Sequence, residues 1–402
     1  MLWVSAGAVS VASAADAVTA HQFSGDVRLN YYQASKDLAA RDDDVGVTAE
    51  AEIQSNWTDR FTSKAVVRWH VPDLGDTSAK AELREGYGLW RGDRLGLKIG
   101  KQIVAWGRAD GVNPTDNLTP RNYRVQLPFD DDQRSGVLAL KADYFVEAEK
   151  TFSLFLSPDF EPSKMPLPLG VQFSERHPAV GRWPLGVKWD EHGERTDWSV
   201  SYFRGYKLLP EWRAGVADGI VDFHYPKISV FGADTAINFG RFGWRAEFAH
   251  VTRDEPQARG SYGGNWSLVT GFDRSFDQEL NVNLQGIVQR NSRPGDVASI
   301  VNAGERNIAE ANAVAFNQES RWKFGATMRI GKKWRNGTVE AELLMIEYFR
   351  PSTNYWRPML NYAVSDSTKL TVGAELFRGP SNSFFGANKR LQGLFGELRF
   401  FY

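Results

Sequence analysis

Apolar and polar residues alternate with a period of two along most of this 402-residue chain, and that alternation restricts what it can become. Successive side chains of a strand point to opposite faces, so a period of two means strands with two unlike faces. In one stretch Trp322, Phe324, Ala326, Met328 and Ile330 share a face, opposite Arg321, Lys323, Gly325, Thr327 and Arg329. In another, Leu280, Val282, Leu284 and Val288 oppose Asn281, Asn283, Gln285 and Gln289. About 18 such segments are predicted, at 22–32, 45–56, 61–70, 80–90, 95–103, 135–145, 151–157, 185–190, 197–203, 227–238, 242–252, 263–273, 279–289, 319–330, 338–348, 355–363, 369–377 and 391–402. Most approach the ~9–11 residues of a tilted membrane-spanning strand, while no run beyond the N-terminus approaches the ~18–20 apolar residues of a spanning helix.

The connections alternate too. Tight links such as 57–60, 91–94, 240–242, 275–278 and 365–368 are separated by mostly longer ones, the longest near 104–134, 158–184, 204–226 and 290–318. Short periplasmic turns and long extracellular loops are the habit of outer-membrane barrels. The pattern predicts an all-β, transmembrane, antiparallel up-and-down barrel in the outer membrane of a Gram-negative cell, with both termini periplasmic. An open sheet in lipid would leave its edges unpaired, so the last strand must meet the first. Trp57, Trp90, Trp189, Trp198 and Trp334 fall near the tight turns, and Trp69, Trp106, Trp266, Trp322 and Trp356 near the other end, as two interfacial belts would. Residues 1–15 read as the apolar core and A-x-A-like cleavage end of a signal peptide, without a basic start, and 21–402 as a single barrel domain.

If the apolar faces meet lipid, the opposite faces line a lumen. Arg28, Lys64, Arg68, Arg84, Lys98, Arg241, Arg245, Arg321, Lys323 and Arg329 are the basic residues expected to line the pore, among acidic ones that give a mixed-charge wall. A barrel of this size leaves an aqueous channel unless something fills it. The segment 103–134 is the most distinctive loop: Gly107, Gly111, Pro114, Pro120 and Pro128 impose turns, and Arg108, Asp110, Asp116, Arg121 and Arg124 bring charge. Such a loop either folds inward as a constriction or caps the barrel outside. The 290–318 segment contains a short helical stretch, with Ile308, Ala311 and Phe316 on one side, that would plug the pore or pack on its rim.

The chain ends "LFGELRFFY", placing Leu398, Phe400 and Tyr402 on one face. This resembles the closing strand of outer-membrane proteins, which implies a signal read by the barrel-assembly machinery. "LKIGKQIVAW", the W-G-x-x-D-G segment after it and the C-terminal "GAELFRGPSNSFFGANKRLQGLFGELRFFY" resemble porin-like proteins grouped near the alginate-export barrels. That resemblance implies 18 strands and, for the alginate exporters, an arginine-rich conduit for an acidic polymer; the lining here is mixed.

Other chemistry finds little footing. Lysine plus arginine number 48 against 49 acidic residues, so there is no basic excess for nucleic acid. Cysteine is absent, which excludes disulfides and thiolate sites. The histidines His21, His70, His177, His192, His224 and His250 lack zinc spacing, and no G-x-S-x-G elbow occurs. The aspartate runs 42–44 and 130–132 are cation-binding candidates or solvated loop tips. The expected function is therefore a non-enzymatic, cofactor-free, porin-like channel for small polar or charged solutes, embedded in outer-membrane lipid and lipopolysaccharide. An export conduit for polysaccharide or lipid, with periplasmic and inner-membrane partners, is the alternative; a barrel-embedded hydrolase is a remote one.

Overall fold

The computed structural model describes residues 20–34, 43–71, 79–124, 128–165, 172–175, 178, 182–215, 220–256, 260–292 and 297–402. The signal-peptide-like segment 1–15, His177 and Asp42 lie outside these residues, as do the side chains of Asp43 and Asp44. Eighteen strands form one antiparallel sheet. They are Ala20–Ala34, Asp43–Asn56, Phe61–Val71, Lys80–Arg91, Leu95–Gln102, Val137–Glu147, Lys150–Leu156, Leu185–His192 and Thr196–Tyr206 in the first half. Lys227–Phe239, Phe242–Arg253, Asn265–Phe276, Leu280–Asn291, Trp322–Trp334, Val339–Phe349, Ser352–Ser365, Thr368–Arg378 and Gly393–Phe401 complete it. Each expected segment coincides with one of these strands. The physical reason is that a two-faced strand has only one register that separates lipid from interior.

Closure is explicit. Ala20–Ala34 pairs with Gly393–Phe401, with Arg28 opposite Arg399 and Asn30 opposite Glu397. The terminal residue joins in: Gly25 and Tyr402 exchange both backbone hydrogen bonds at 3.1 Å, and the Tyr402 hydroxyl donates to the Glu50 carbonyl at 3.0 Å. Gly25 has to be glycine, because a Cβ there would collide with that tyrosine ring. Phe400 and Tyr402 face outward and are exposed, whereas Glu397 on the alternate face is 2% exposed. Phe401, also on the inner face, lies under the Arg399 guanidinium, 4.8 Å from its ring centroid.

The alternation appears directly as burial. Along Phe242–Arg253, Gly243, Glu247, Ala249 and Val251 are buried while Phe242 and His250 are exposed. Trp57, Trp69, Trp90, Trp198, Trp322, Trp334 and Trp356 are exposed on the outside. Trp106 departs from its expected belt: it is 5% exposed and packs with Val104, Leu118, Phe155 and Val230 inside the barrel. The inner face is therefore not polar throughout. Val137, Ala139, Phe155, Ile228, Val230, Ala249 and Val251 form an apolar patch of wall that the loop covers.

At the long-loop end, Gln172–Glu175, Glu211–Ala214 and Ile220–His224 make a separate three-stranded sheet. The helix Ala303–Ala315, capped by Asn302 accepting from Glu305 N, packs against it. Asn312 accepts from Trp212 N at 2.8 Å and donates to Trp212 O at 2.9 Å, so the helix is bound to this rim sheet. Its buried residues are Ala309 and Asn312, with Ile308 and Ala311 only partly covered, while the expected Phe316 at its C-terminal end is buried. A buried side-chain amide needs hydrogen-bond partners, and the Trp212 and Gly260 backbone groups supply them only in this rotation.

Candidate functional site

Between Gln102 and Val137 the chain turns into the lumen instead of covering it. The sequence there requires this route. Trp106 needs an apolar contact and finds it on the inner wall patch. Gly107 then takes φ +95°, a left-handed conformation that strains a residue with a Cβ. Arg108 reaches Asp190 at 2.7 Å and Asp234 at 3.1 Å, two carboxylates on the inner face that would be costly without a partner. Asn113 donates to Trp106 O at 2.9 Å and closes the turn on itself. Asp110 accepts an ion pair from Arg329 at 3.0 Å, and its backbone N–H donates to Gln285 at 3.1 Å.

The far end of the loop crosses to the other side of the barrel. Asp130–Gln133 form one short 3-10 turn. Asp130 pairs with Arg357 at 2.7 Å. Asp132 pairs with Arg28 at 2.9 Å and lies 3.7 Å from Arg399. Arg84 donates to Asp131 O at 2.6 Å and to Arg134 O at 3.1 Å. Beneath them Arg28, Asp26, Glu50 and Arg68 make a buried ion network, with Arg28 and Arg68 fully covered. Two of the three aspartates in the 130–132 run are thus not at a solvated loop tip: Asp130 and Asp132 are paired with wall arginines, while the exposed Asp131 carboxylate meets only Arg134 of the loop. For Asp130, burial works to raise the carboxyl pKa, but the Arg357 guanidinium beside it holds it below its ordinary value.

What remains open is a cavity of about 790 Å³ between the inserted loop and the wall. The wall contributes Arg245, Arg329, Glu342 and Arg357; the loop contributes Asp110, Asp116, Arg121, Tyr123, Phe129, Asp130, Asp131 and Arg134, among others. Five arginines (121, 134, 245, 329, 357) face five carboxylates (110, 116, 130, 131, 342), so formal charge balances. The carboxylates are mostly engaged: Asp116 by Arg134 at 2.6 Å and Arg121 at 3.4 Å, Glu342 by Arg329 at 2.9 Å. A carboxylate only accepts and a guanidinium carries five N–H donors, so donors outnumber the acceptors that meet them. The lining therefore presents surplus N–H groups on a wall of zero formal charge.

The expected residues meet different fates. Arg245, Arg329, Asp110, Asp116 and Arg121 line the cavity. Lys64, Arg84 and Lys98 are on inner faces outside its lining, Lys64 with Glu52 and Glu85, Lys98 over the Tyr87 ring, and Arg84 behind the lining residues Asp131 and Arg134, whose carbonyls it holds. Arg28, Arg68 and Lys323 face inward but are 0% exposed, so a solute cannot touch them; this corrects their expected lining role. Two further corrections concern position. Arg241 lies in the tight turn after Phe239, exposed and paired with Asp277 at 3.3 Å. Arg321 precedes the strand that begins at Trp322 and is exposed at the rim. Arg108 is spent on two aspartates, and Arg124 is exposed, donating to Met165 O at 2.8 Å. Arg134 and Arg357 were missed, although strand parity alone puts Arg357, beside outward Trp356, on the inner face; Glu342 is among the acidic residues that the same parity assigns to the wall.

One cluster outside the lumen was also invisible in the spacing. Glu211, His224 and Glu255 approach within ligand distance of one another. Arg253 holds Glu211 at 2.7 Å and Glu255 at 2.7 Å, and Arg213 also pairs with Glu211. The carboxylate oxygens are occupied by guanidinium groups, so the cluster is an ion-paired knot joining the rim sheet to the barrel.

No family model matches the chain, and no curated protein does. Solved structures do. OccAB1 of Acinetobacter baumannii superposes with a TM-score of 0.60 at 8% identity, covering 95% of each chain. A BenF-like porin from Pseudomonas fluorescens Pf-5 gives 0.59 at 9% identity over 96% of this chain and 98% of its own. OccK5 (OpdH) of Pseudomonas aeruginosa gives 0.56 at 12% identity, over 95% and 97%. The fold is that of these outer-membrane porin barrels, nearly end to end. None of these three is an alginate-export barrel, and that finer grouping gains no support.

Proposed function

We propose that the chain is an outer-membrane diffusion channel for small polar or charged solutes, and that the passage is the cavity beside the inserted loop. The observation that carries this reading is the loop itself. It crosses the lumen, is ion-paired to opposite walls, and leaves a charge-balanced opening of about 790 Å³. A fixed loop that narrows a wide barrel converts an unselective hole into a filter whose charges meet each solute. Likeness to structures described as porins supports the same reading. The opening fits small solutes; a bulky polymer would need the loop displaced, so the export conduit is the weaker reading. In this arrangement the tight turns and both termini face the periplasm, and the rim sheet and helix face outward. The test is planar-bilayer recording of the purified protein. Stable single-channel steps with weak ion preference are expected from a balanced lining; absence of any conductance would sink the proposal.

A further inference from the structure

The segment "WGRADGVNPT" (106–115) converges on a single wall residue, Glu247. Its carboxylate is 1% exposed. One oxygen accepts from the backbone N–H of Arg108 and of Ala109, both at 2.9 Å. The other accepts from Thr115 N and from Thr115 Oγ1, both at 2.8 Å. No lysine or arginine side chain pairs with it among the described residues, so its charge is met by the donors of the loop turn alone. Gly107 completes the fit: a Cβ there would run into Glu247 Oε2 and Thr115 Oγ1. Successive backbone N–H groups curled around an anion form a concavity that prefers negative charge. Here the anion belongs to the opposite wall.

We propose that Glu247 is the positioning residue of the constriction: its carboxylate, seated in the 108–115 turn, fixes where the loop stands and so sets the width and charge of the passage. Arg108 and Asp110 also anchor the turn through side-chain ion pairs, but the wall groups that grip its backbone differ in kind. Gln285 offers the loop one neutral acceptor, at Asp110 N. Glu247 offers four charge-assisted bonds, each roughly twice as strong as a neutral one. Replacing one carboxylate oxygen by an amide would turn N–H against N–H at one pair of donors, with little change in volume. This inference rests on the channel reading for its consequence, but the position of the loop can be measured without any current.

The chain has no cysteine, so a single introduced thiol reports one place only. Ala109→Cys puts it on the turn, next to the cavity. Folded barrels, identified by heat-modifiable gel mobility, are treated with a membrane-impermeant thiol reagent, with Glu247 intact or as Glu247→Gln. The labelling rate is expected to rise about tenfold or more in Glu247→Gln, the factor set by losing one hydrogen bond to a charged group. Gln285→Ala should raise it less. Single-channel conductance should rise in Glu247→Gln, with a shifted reversal potential in a salt gradient. An unchanged labelling rate in folded Glu247→Gln, or an equal rise in Gln285→Ala, overturns the positioning role even if the wild-type protein conducts. Faster labelling in a protein that never conducts upholds it and removes the channel reading instead.

Discussion

Individual charges here are informative through their partners. Arg357 and Asp130 face each other at 2.7 Å on the cavity wall. Arg357→Gln should leave the aspartate without its guanidinium and tip a balanced lining negative, so the reversal potential in a salt gradient should move toward cation preference. The pair has a defined pH window. Because the Asp130 pKa is held below its ordinary 3.8, the stabilisation is complete above that value and is lost as pH falls through the lowered one. The difference in gel-mobility melting between the wild-type and Arg357→Gln proteins should therefore be flat from neutral pH to about pH 4 and shrink below it. Lys207, beyond the barrel strand Thr196–Tyr206, shows the opposite sign. Burial pushes its pKa down from 10.5 to about 8, so the folded state disfavours its charge. The penalty is fully present below pH 8 and is relieved as pH rises toward 10.5. Lys207→Met should raise the thermal transition at pH 7 and flatten its pH dependence between pH 8 and 10.5, as a gel-mobility melt would show. The inward parity of Arg245 and Arg329 was legible in the sequence. Which inward arginines are sealed, as Arg28 and Arg68 are, was not, because Arg28, for one, is closed over by Asp132, from a turn about a hundred residues away.

Among elements, strands were legible and the loop only half so. Alternation is a local property, read from ten residues, and each barrel strand could be found by it. The course of 103–134 depends on matching Trp106 to an apolar patch assembled from Val137, Phe155, Val230 and Val251 on separate strands. No local pattern announces that match; those inward valines merely weakened the alternation. Trp106→Ala should cost about 3–5 kcal/mol, the price of removing a buried aromatic ring. The loss should appear as loosening of the loop, with the barrel's own melting little changed, since the sheet keeps every backbone pair. The rim helix should behave as a separate piece. Asn312→Ala removes its bonds to Trp212 and Gly260, and should increase proteolysis near 303–315 while leaving channel conductance unaltered.

For the whole molecule the decisive event is closure. Removing residues 400–402 deletes the partners of Val27, Asp26 and Gly25 on the first strand. The heat-modifiable, folded fraction should fall sharply, while any barrels that do close should conduct as before. The even strand count, the two kinds of end and the closing pair were all legible, because a bilayer tolerates so few solutions for a sheet. The acidic turn at 130–132 adds a temporal order to this architecture. Asp132 touches Arg28 on the first strand and approaches Arg399 on the last, so its socket does not exist until those two strands have met. The loop is consequently a witness to completion: it can lock only into a finished ring, and a chain stalled before its final strand must leave that turn unlatched. In pulse-chase assembly, protection of 128–134 from protease should lag behind, and never precede, the gel shift that marks the sealed barrel.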